Sequence, residues 1–127
     1  MSRKILQTAH APEPIGPYSQ AIQSGKLIFT SGQIAINPEN NMLEQSDIVG
    51  QTRQVLENLS AILQSAGSSF DDVVKTTIFL KDMNDFPRVN EVYATWFGSA
   101  LPARSTVQVS RLPKDALIEI ECVAVVK

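Results

Sequence analysis

The residue types best suited to chemistry in this 127-residue chain stand near its end: Arg104, Glu119 and Glu121, in two stretches that read as strands. A guanidinium presents a planar fork that holds a carboxylate through two parallel hydrogen bonds. A glutamate can steer water or shuttle a proton. The plainer reading is a structural ion pair of Arg104 with Glu119 or Glu121. Pattern alone favours that reading, since ion-pair networks also place charges in such settings.

Other chemistries are harder to build from this composition. The chain has one histidine, His10, and one cysteine, Cys122, too few for a zinc site or an internal disulfide framework. Cys122 alternates with Ile120 and Ala124 and reads as core; a lone cysteine suits a reducing compartment. His10, just before Ala11 and Pro12, reads as a solvated loop residue. A net charge of −2 leaves no electrostatic footprint for nucleic acid or an anionic membrane. No apolar run approaches the roughly 20 residues of a transmembrane helix. The start, Met1-Ser2-Arg3-Lys4-Ile5-Leu6-Gln7, lacks the apolar stretch of a signal peptide. The expectation is a cytoplasmic protein with no metal, no cofactor and no membrane partner.

The elements that must position these residues follow from periodicity. With 43% hydrophobic and 19% charged residues, the chain reads as one globular domain over 1–127. Such a domain buries roughly two-thirds of its unfolded surface. Ile5–Thr8 is a short candidate strand, and Ala21–Gln23 and Leu27–Thr30 flank Ser24-Gly25-Lys26, a hairpin signal. From Asp47 to Ala66 apolar residues recur at helical spacing, with Ser46 or Asp47 to cap the start and Gly67 to end it. Val73–Leu80 alternates as a strand, with Val74, Thr76, Ile78 and Leu80 on one face. A second helix opens at Asn84 or Asp85, tolerates Pro87 in its first turn, and carries the stripe Phe86, Val89, Tyr93, Trp96 and Phe97. That stripe reads as core rather than as a ligand platform. Ser105–Arg111 and Leu117–Val126 close the chain as strands. The order β-β-β-α-β-α-β-β predicts an α+β domain with two helices packed on one face of a mixed β-sheet. Val123 and Val125 on the uncovered face favour burial against another subunit, hence a homo-oligomer.

In the first of the closing strands, Val107 and Val109 share one face, and Arg104, Thr106, Gln108 and Ser110 the other. If the valines face the helices, Arg104 and Thr106 lie on the same side as Glu119 and Glu121. A hairpin near Lys114 would pair Val109 with Glu119. Arg104 and Glu119 of one chain would then stand roughly 17 Å apart at ~3.3 Å per residue. That is too far for one three- or four-carbon substrate, so a site using both would draw them from different subunits.

The blocks Ile15-Gly16-Pro17-Tyr18-Ser19-Gln20-Ala21, Thr30-Ser31-Gly32-Gln33-Ile34 and Val74-Lys75-Thr76-Thr77-Ile78-Phe79-Leu80-Lys81-Asp82 resemble the Rid (YjgF-type) reactive intermediate deaminases. So do Met83-Asn84-Asp85-Phe86 with Val89-Asn90, Pro102-Ala103-Arg104-Ser105, and Arg111-Leu112-Pro113-Lys114-Asp115 leading to Ile118-Glu119-Ile120-Glu121. The resemblance spans almost the whole chain in order, and is closest to the RidA branch. It implies a chorismate-mutase-like fold and a homotrimer with three clefts between subunits. It also implies hydrolysis of 2-aminoacrylate, 2-iminopropanoate and 2-iminobutanoate to 2-keto acids and ammonia, without a cofactor. By this resemblance Arg104 binds the substrate carboxylate and Glu119 positions or activates water. Tyr18, Ser31, Gly32, Asn90 and the backbone around Thr106 line the cleft. By residue type alone, Tyr18 reads as packing, Asn90 as a buried structural hydrogen bond, and Gly32 as a close backbone approach or an unusual dihedral. Thr106 departs from the cysteine of many relatives, so a thiol role is impossible here.

Two other functions share these residues. One is a non-catalytic trimeric module that senses a 2-keto acid through Arg104. The other is an RNA-directed ribonuclease or translation inhibitor, against which the acidic balance argues.

Overall fold

Helix α1 (Ile48–Ser65) forms where apolar side chains recur at three- and four-residue spacing, and it buries Ile48, Thr52, Val55, Leu56, Leu59, Ile62 and Leu63 on one face. The computed structural model describes residues 3–126; Met1, Ser2 and Lys127, the ends of the expected domain, lie outside them. The Asp47 carboxylate accepts the Gly50 N–H at 3.0 Å and caps the helix start. Gly67, at φ 72°, ends it: its N–H donates to Gln64 O and the next, of Ser68, to Leu63 O. Helix α2 (Phe86–Phe97) carries Pro87 in its first turn, where no N–H partner is needed, and buries Val89, Val92, Tyr93 and Phe97.

Both helices pack on one face of a mixed six-stranded sheet. Its strands are β1 (Arg3–Leu6), β2 (Ala21–Ser24), β3 (Leu27–Thr30), β4 (Val73–Leu80), β5 (Ala103–Gln108) and β6 (Ile118–Val125). The element order is the expected one, and the strands lie in the order β1-β2-β3-β6-β4-β5. The alternation predicted for β6 holds: Ile118, Ile120, Cys122 and Ala124 are buried in the core with α1 and α2. Burial pushes the Cys122 thiol up to about 11, so it is an inert core group.

Several expectations need correction. The β1 strand covers Arg3–Leu6 rather than Ile5–Thr8, and β5 starts and stops earlier than Ser105–Arg111. In β4 a bulge between Val73 and Lys75 turns Val74 outward, so Val73 joins Thr76, Ile78 and Leu80 on the buried face.

The largest correction concerns β5 and β6, which are not a hairpin. Strand β4 lies between them, because the α2 crossover returns β5 parallel to β4, whereas β6 pairs with the other edge of β4. Directly paired residues share a face, so Arg104, opposite Thr76, which is opposite Cys122, lies on the helix-covered side. Thr106, opposite Ile78, lies there too. Val107 faces the other way and is 43% exposed, on the side of Glu119 and Glu121. Arg104 and Glu119 are therefore on opposite faces of the sheet.

Candidate functional site

Arg104 projects from β5 against α2, half-buried. Its Cζ lies 5.2 Å from the Phe86 ring centroid and 4.9 Å from that of Tyr93. Tyr93 in turn shares a 2.8 Å hydrogen bond with the Thr76 hydroxyl. The expected pair of Arg104 with Glu119 or Glu121 does not form: among the described residues the ion pair is Arg111 with Asp115, exposed on the surface. The guanidinium opens onto a concavity of about 420 Å³ lined by Asn90, Tyr93, Ala94, Phe97, Leu101 and their neighbours. Asn90 Oδ1 and Thr106 Oγ1, on this same side, are buried without a hydrogen-bond partner among the described residues. That differs from the structural hydrogen bond expected of Asn90. A buried unpaired oxygen costs about 1–3 kcal/mol, which a polar group brought by a ligand would offset.

A second concavity, of about 370 Å³, is lined by Ile15, Tyr18, Ser31, Gly32, Pro113 and Glu119. Its floor is set by backbone. Gln33 and Ile120 exchange two hydrogen bonds of 2.9 and 3.1 Å, which lay the Ser31–Gln33 segment along β6 beside Glu119. Gly32 is there for close approach, not for an unusual dihedral: its φ lies outside the left-handed region, while a β-carbon would overlap the Glu119 side chain. Ser31 Oγ donates to Ser19 O at 2.6 Å, and the Tyr18 hydroxyl accepts the Ile15 N–H at 3.1 Å. The Tyr18 hydroxyl proton thus remains available for a ligand. Buried Gln20 donates to Ala11 O and Pro12 O and anchors this loop. Burial first, and the neighbouring Glu121 charge second, raise the Glu119 carboxyl above its ordinary value. A carboxyl so tuned takes and returns protons closer to neutral pH than a solvated one.

The seven residues named by sequence therefore divide into two groups. Tyr18, Ser31, Gly32 and Glu119 share one concavity; Arg104 and Asn90 share the other, with Thr106 beside Arg104 on β5. In register, Arg104 and Glu119 stand three residue rows and two strands apart. That is roughly 10 Å along the strands and roughly 10 Å across them, with the sheet between. One chain cannot present both to a small molecule.

Periodicity marks Phe86 and Tyr93 as core and overlooks their contact with Arg104. The available signal is that both lie on one α2 stripe, but the pairing of β5 with β4 is needed to read it. His10 is exposed in its loop, as expected. Among the described residues, no three His, Cys, Asp or Glu side chains gather to hold a metal ion, and no helix is long and apolar enough to cross a membrane.

A family profile described as endoribonuclease L-PSP matches residues 8–126. A RutC family protein of Pyrococcus horikoshii is 57% identical over 122 residues, covering 96% of this chain and 97% of that protein. A 2-iminobutanoate/2-iminopropanoate deaminase of Mus musculus is 48% identical over 123 residues, covering 97% of this chain and 91% of that protein. The crystal structure of a Rid-family protein from Yersinia pestis is similar with a TM-score of 0.96 at 50% identity, over 98% of this chain and 100% of that one. On fold and sequence together, the chain belongs to the endoribonuclease L-PSP family, the YjgF/Rid proteins.

Proposed function

We propose that this chain is a hydrolytic deaminase of short 2-imino acids and their enamines, acting as one Rid-type domain over 1–127 in a cytoplasmic homotrimer. The observation that carries the reading is the division of the two charged groups. Arg104, without a counter-ion among the described residues, and Glu119, with a raised carboxyl, sit in separate concavities on opposite sheet faces. Apposing the Arg104 side of one subunit to the Glu119 side of the next would complete a cleft. Ile15, 54% exposed, and Leu101, 76% exposed, stand at the two rims and would gain cover in that assembly. The likeness to the mouse deaminase supports the choice of substrate.

In this cleft Arg104 grips the carboxylate through its fork and so orients C2 of the imine. Glu119 accepts a proton from water as the water oxygen bonds to C2 of the protonated imine and the C=N electron pair moves onto nitrogen, giving a carbinolamine. It then returns the proton to nitrogen. As the C2–N bond breaks, the hydroxyl oxygen forms the C2=O bond and gives its proton to Glu119, which passes it to the departing ammonia, so a 2-keto acid and ammonium leave. Tyr18, Ser31, Gly32, Asn90 and Thr106 shape the cleft around the reacting carbon. No protein nucleophile enters the sequence of steps, so threonine serves at 106. A sensor that binds without turnover needs Arg104 only, whereas the raised Glu119 carboxyl favours turnover.

The test generates 2-aminoacrylate or 2-iminobutanoate with a dehydratase and times keto-acid release with and without this protein. Acceleration is expected with the wild type. It should be lost in a folded Arg104→Ala variant, and Arg104→Lys should restore little of it, since a point charge lacks the fork. No acceleration by the wild type overturns the reading. The family description favours a second reading, cleavage of RNA. Incubation of the same preparation with a labelled single-stranded RNA decides it: cleavage that disappears in Glu119→Gln would move the assignment there.

A further inference from the structure

We propose that Phe86 and Tyr93 form an aromatic seat that holds Arg104 in place of a counter-ion, with Thr76 fixing Tyr93, so that these three act as positioning residues for carboxylate binding. The inference rests on the reading of Arg104 given above.

An arginine that must receive a ligand's carboxylate meets a conflict. A protein carboxylate that holds it still also occupies the N–H groups the ligand needs. Aromatic faces resolve the conflict, because they attract a cation lying within about 6 Å of the ring centroid while its in-plane N–H donors stay free. Arg104 Cζ meets this distance to both rings, at 5.2 Å for Phe86 and 4.9 Å for Tyr93. No ion pair competes among the described residues near it.

The Tyr93 ring is itself held at its edge and on its face. Its hydroxyl bonds Thr76 Oγ1 at 2.8 Å, and Thr76 is the residue directly opposite Arg104 in the sheet register. Its ring stacks on Phe97 with centroids 4.2 Å apart and planes at 20°, and Phe97 packs on Phe70 at 4.6 Å. Burial raises the phenol above its ordinary value, so the ring stays neutral. The stripe that periodicity reads as core thus also supplies the two rings against which the charged group rests.

The test compares Tyr93→Leu, which removes the ring face, with Phe86→Leu at the half-buried ring, and with Tyr93→Phe and Thr76→Val, which remove only the hydrogen bond. Under the proposal Tyr93→Leu and Phe86→Leu raise KM by roughly 2–30-fold with kcat little changed. Tyr93→Phe and Thr76→Val raise it less. Effects on kcat, or Tyr93→Phe and Thr76→Val raising KM as much as the ring deletions, mean a structural role and overturn the proposal. A second readout needs no substrate: the Arg104 Nε–Hε resonance should be displaced by ring currents and return toward its free position in Tyr93→Leu or Phe86→Leu. If the wild type accelerates no imine hydrolysis, the functional reading falls while this resonance still decides the seat. An Arg104 resonance at its free position in the wild type overturns the proposal.

Discussion

The side chain of Glu119 lies across Gly32 so closely that a β-carbon at residue 32 would stand 2.7 Å from Cδ and 2.9 Å from Cγ, nearer still to Oε2. No such contact is tolerable, and the segment at Gly32 is tied to β6 by the Gln33–Ile120 bonds. The flexible partner is the glutamate, so it is the group that must move. Gly32→Ala should therefore keep the fold and displace the carboxylate. Imine hydrolysis should fall about 10²-fold, the usual effect of a misplacement near 1 Å, with the circular dichroism spectrum unchanged. Wild-type rates in Gly32→Ala would show that the position of Glu119 does not matter.

Glu119 should also leave a mark on pH dependence. Its carboxyl is raised above the ordinary 4.5, by burial and then by Glu121. Between the unfolded value and the raised folded value, the native chain binds more protons than the unfolded one. Stability from this group is thus fully present below the unfolded value and lost as pH rises through the folded one. Glu119→Gln should melt like the wild type below about pH 4 and at a higher temperature near neutrality. In turnover, the wild-type rate should rise along a limb with its midpoint above 4.5. Glu121→Gln should move that limb down, and Glu119→Gln should abolish it with a loss of about 10²–10⁴-fold. Calorimetry and a pH–rate series read both effects.

The opposite-face placement of Arg104 and Glu119 predicts complementation between subunits. Arg104→Ala and Glu119→Ala homo-oligomers should each be inactive. After dissociation and mixed reassembly, about a quarter of clefts should regain both native residues under random closed assembly. Mixed assemblies that stay inactive, with exchange verified by mass spectrometry, would refute a shared cleft.

Thr106 offers a test of the absence of covalent chemistry. Thr106→Ser and Thr106→Cys should keep activity within about one order of magnitude, because no nucleophile is required at this position. Thr106→Val removes a buried hydroxyl that has no partner among the described residues, and should stabilise the free protein by about 1 kcal/mol. Thermal melts and the coupled assay measure the two effects. A large gain confined to cysteine would point instead to a thiol mechanism.

Much of the architecture is legible along the chain because it is written in local periodicity. The stripe from Ile48 to Leu63, Asp47 and Gly67 at the ends of α1, Pro87 in the first turn of α2, and the alternation of Ile118, Ile120, Cys122 and Ala124 each follow from near-neighbour rules. Six of the residues lining the two concavities, Tyr18, Ser31, Gly32, Asn90, Arg104 and Glu119, are also named by sequence, through ordered blocks that span the chain. Errors begin where non-local pairing decides. A bulge of one residue reverses Val74, because a strand alternates with a period of two. Taking the β5 valines to face the helices puts Arg104 and Val107 on the wrong faces, since Val107 lies in register with Phe79 and Glu119 on the other side.

By itself, then, the amino-acid order determines the elements, their sequence and the residue types that a carboxylate-binding and proton-moving site would use. Only the tertiary structure decides that β4 intervenes between β5 and β6, and hence that Arg104 rests on Phe86 and Tyr93 while Glu119 faces away beside Gly32. The physical reason is that strand alternation specifies two faces but not which one meets the helices. That choice depends on which strand each pairs with, and strand pairing is set by the core as a whole rather than by neighbours in the chain.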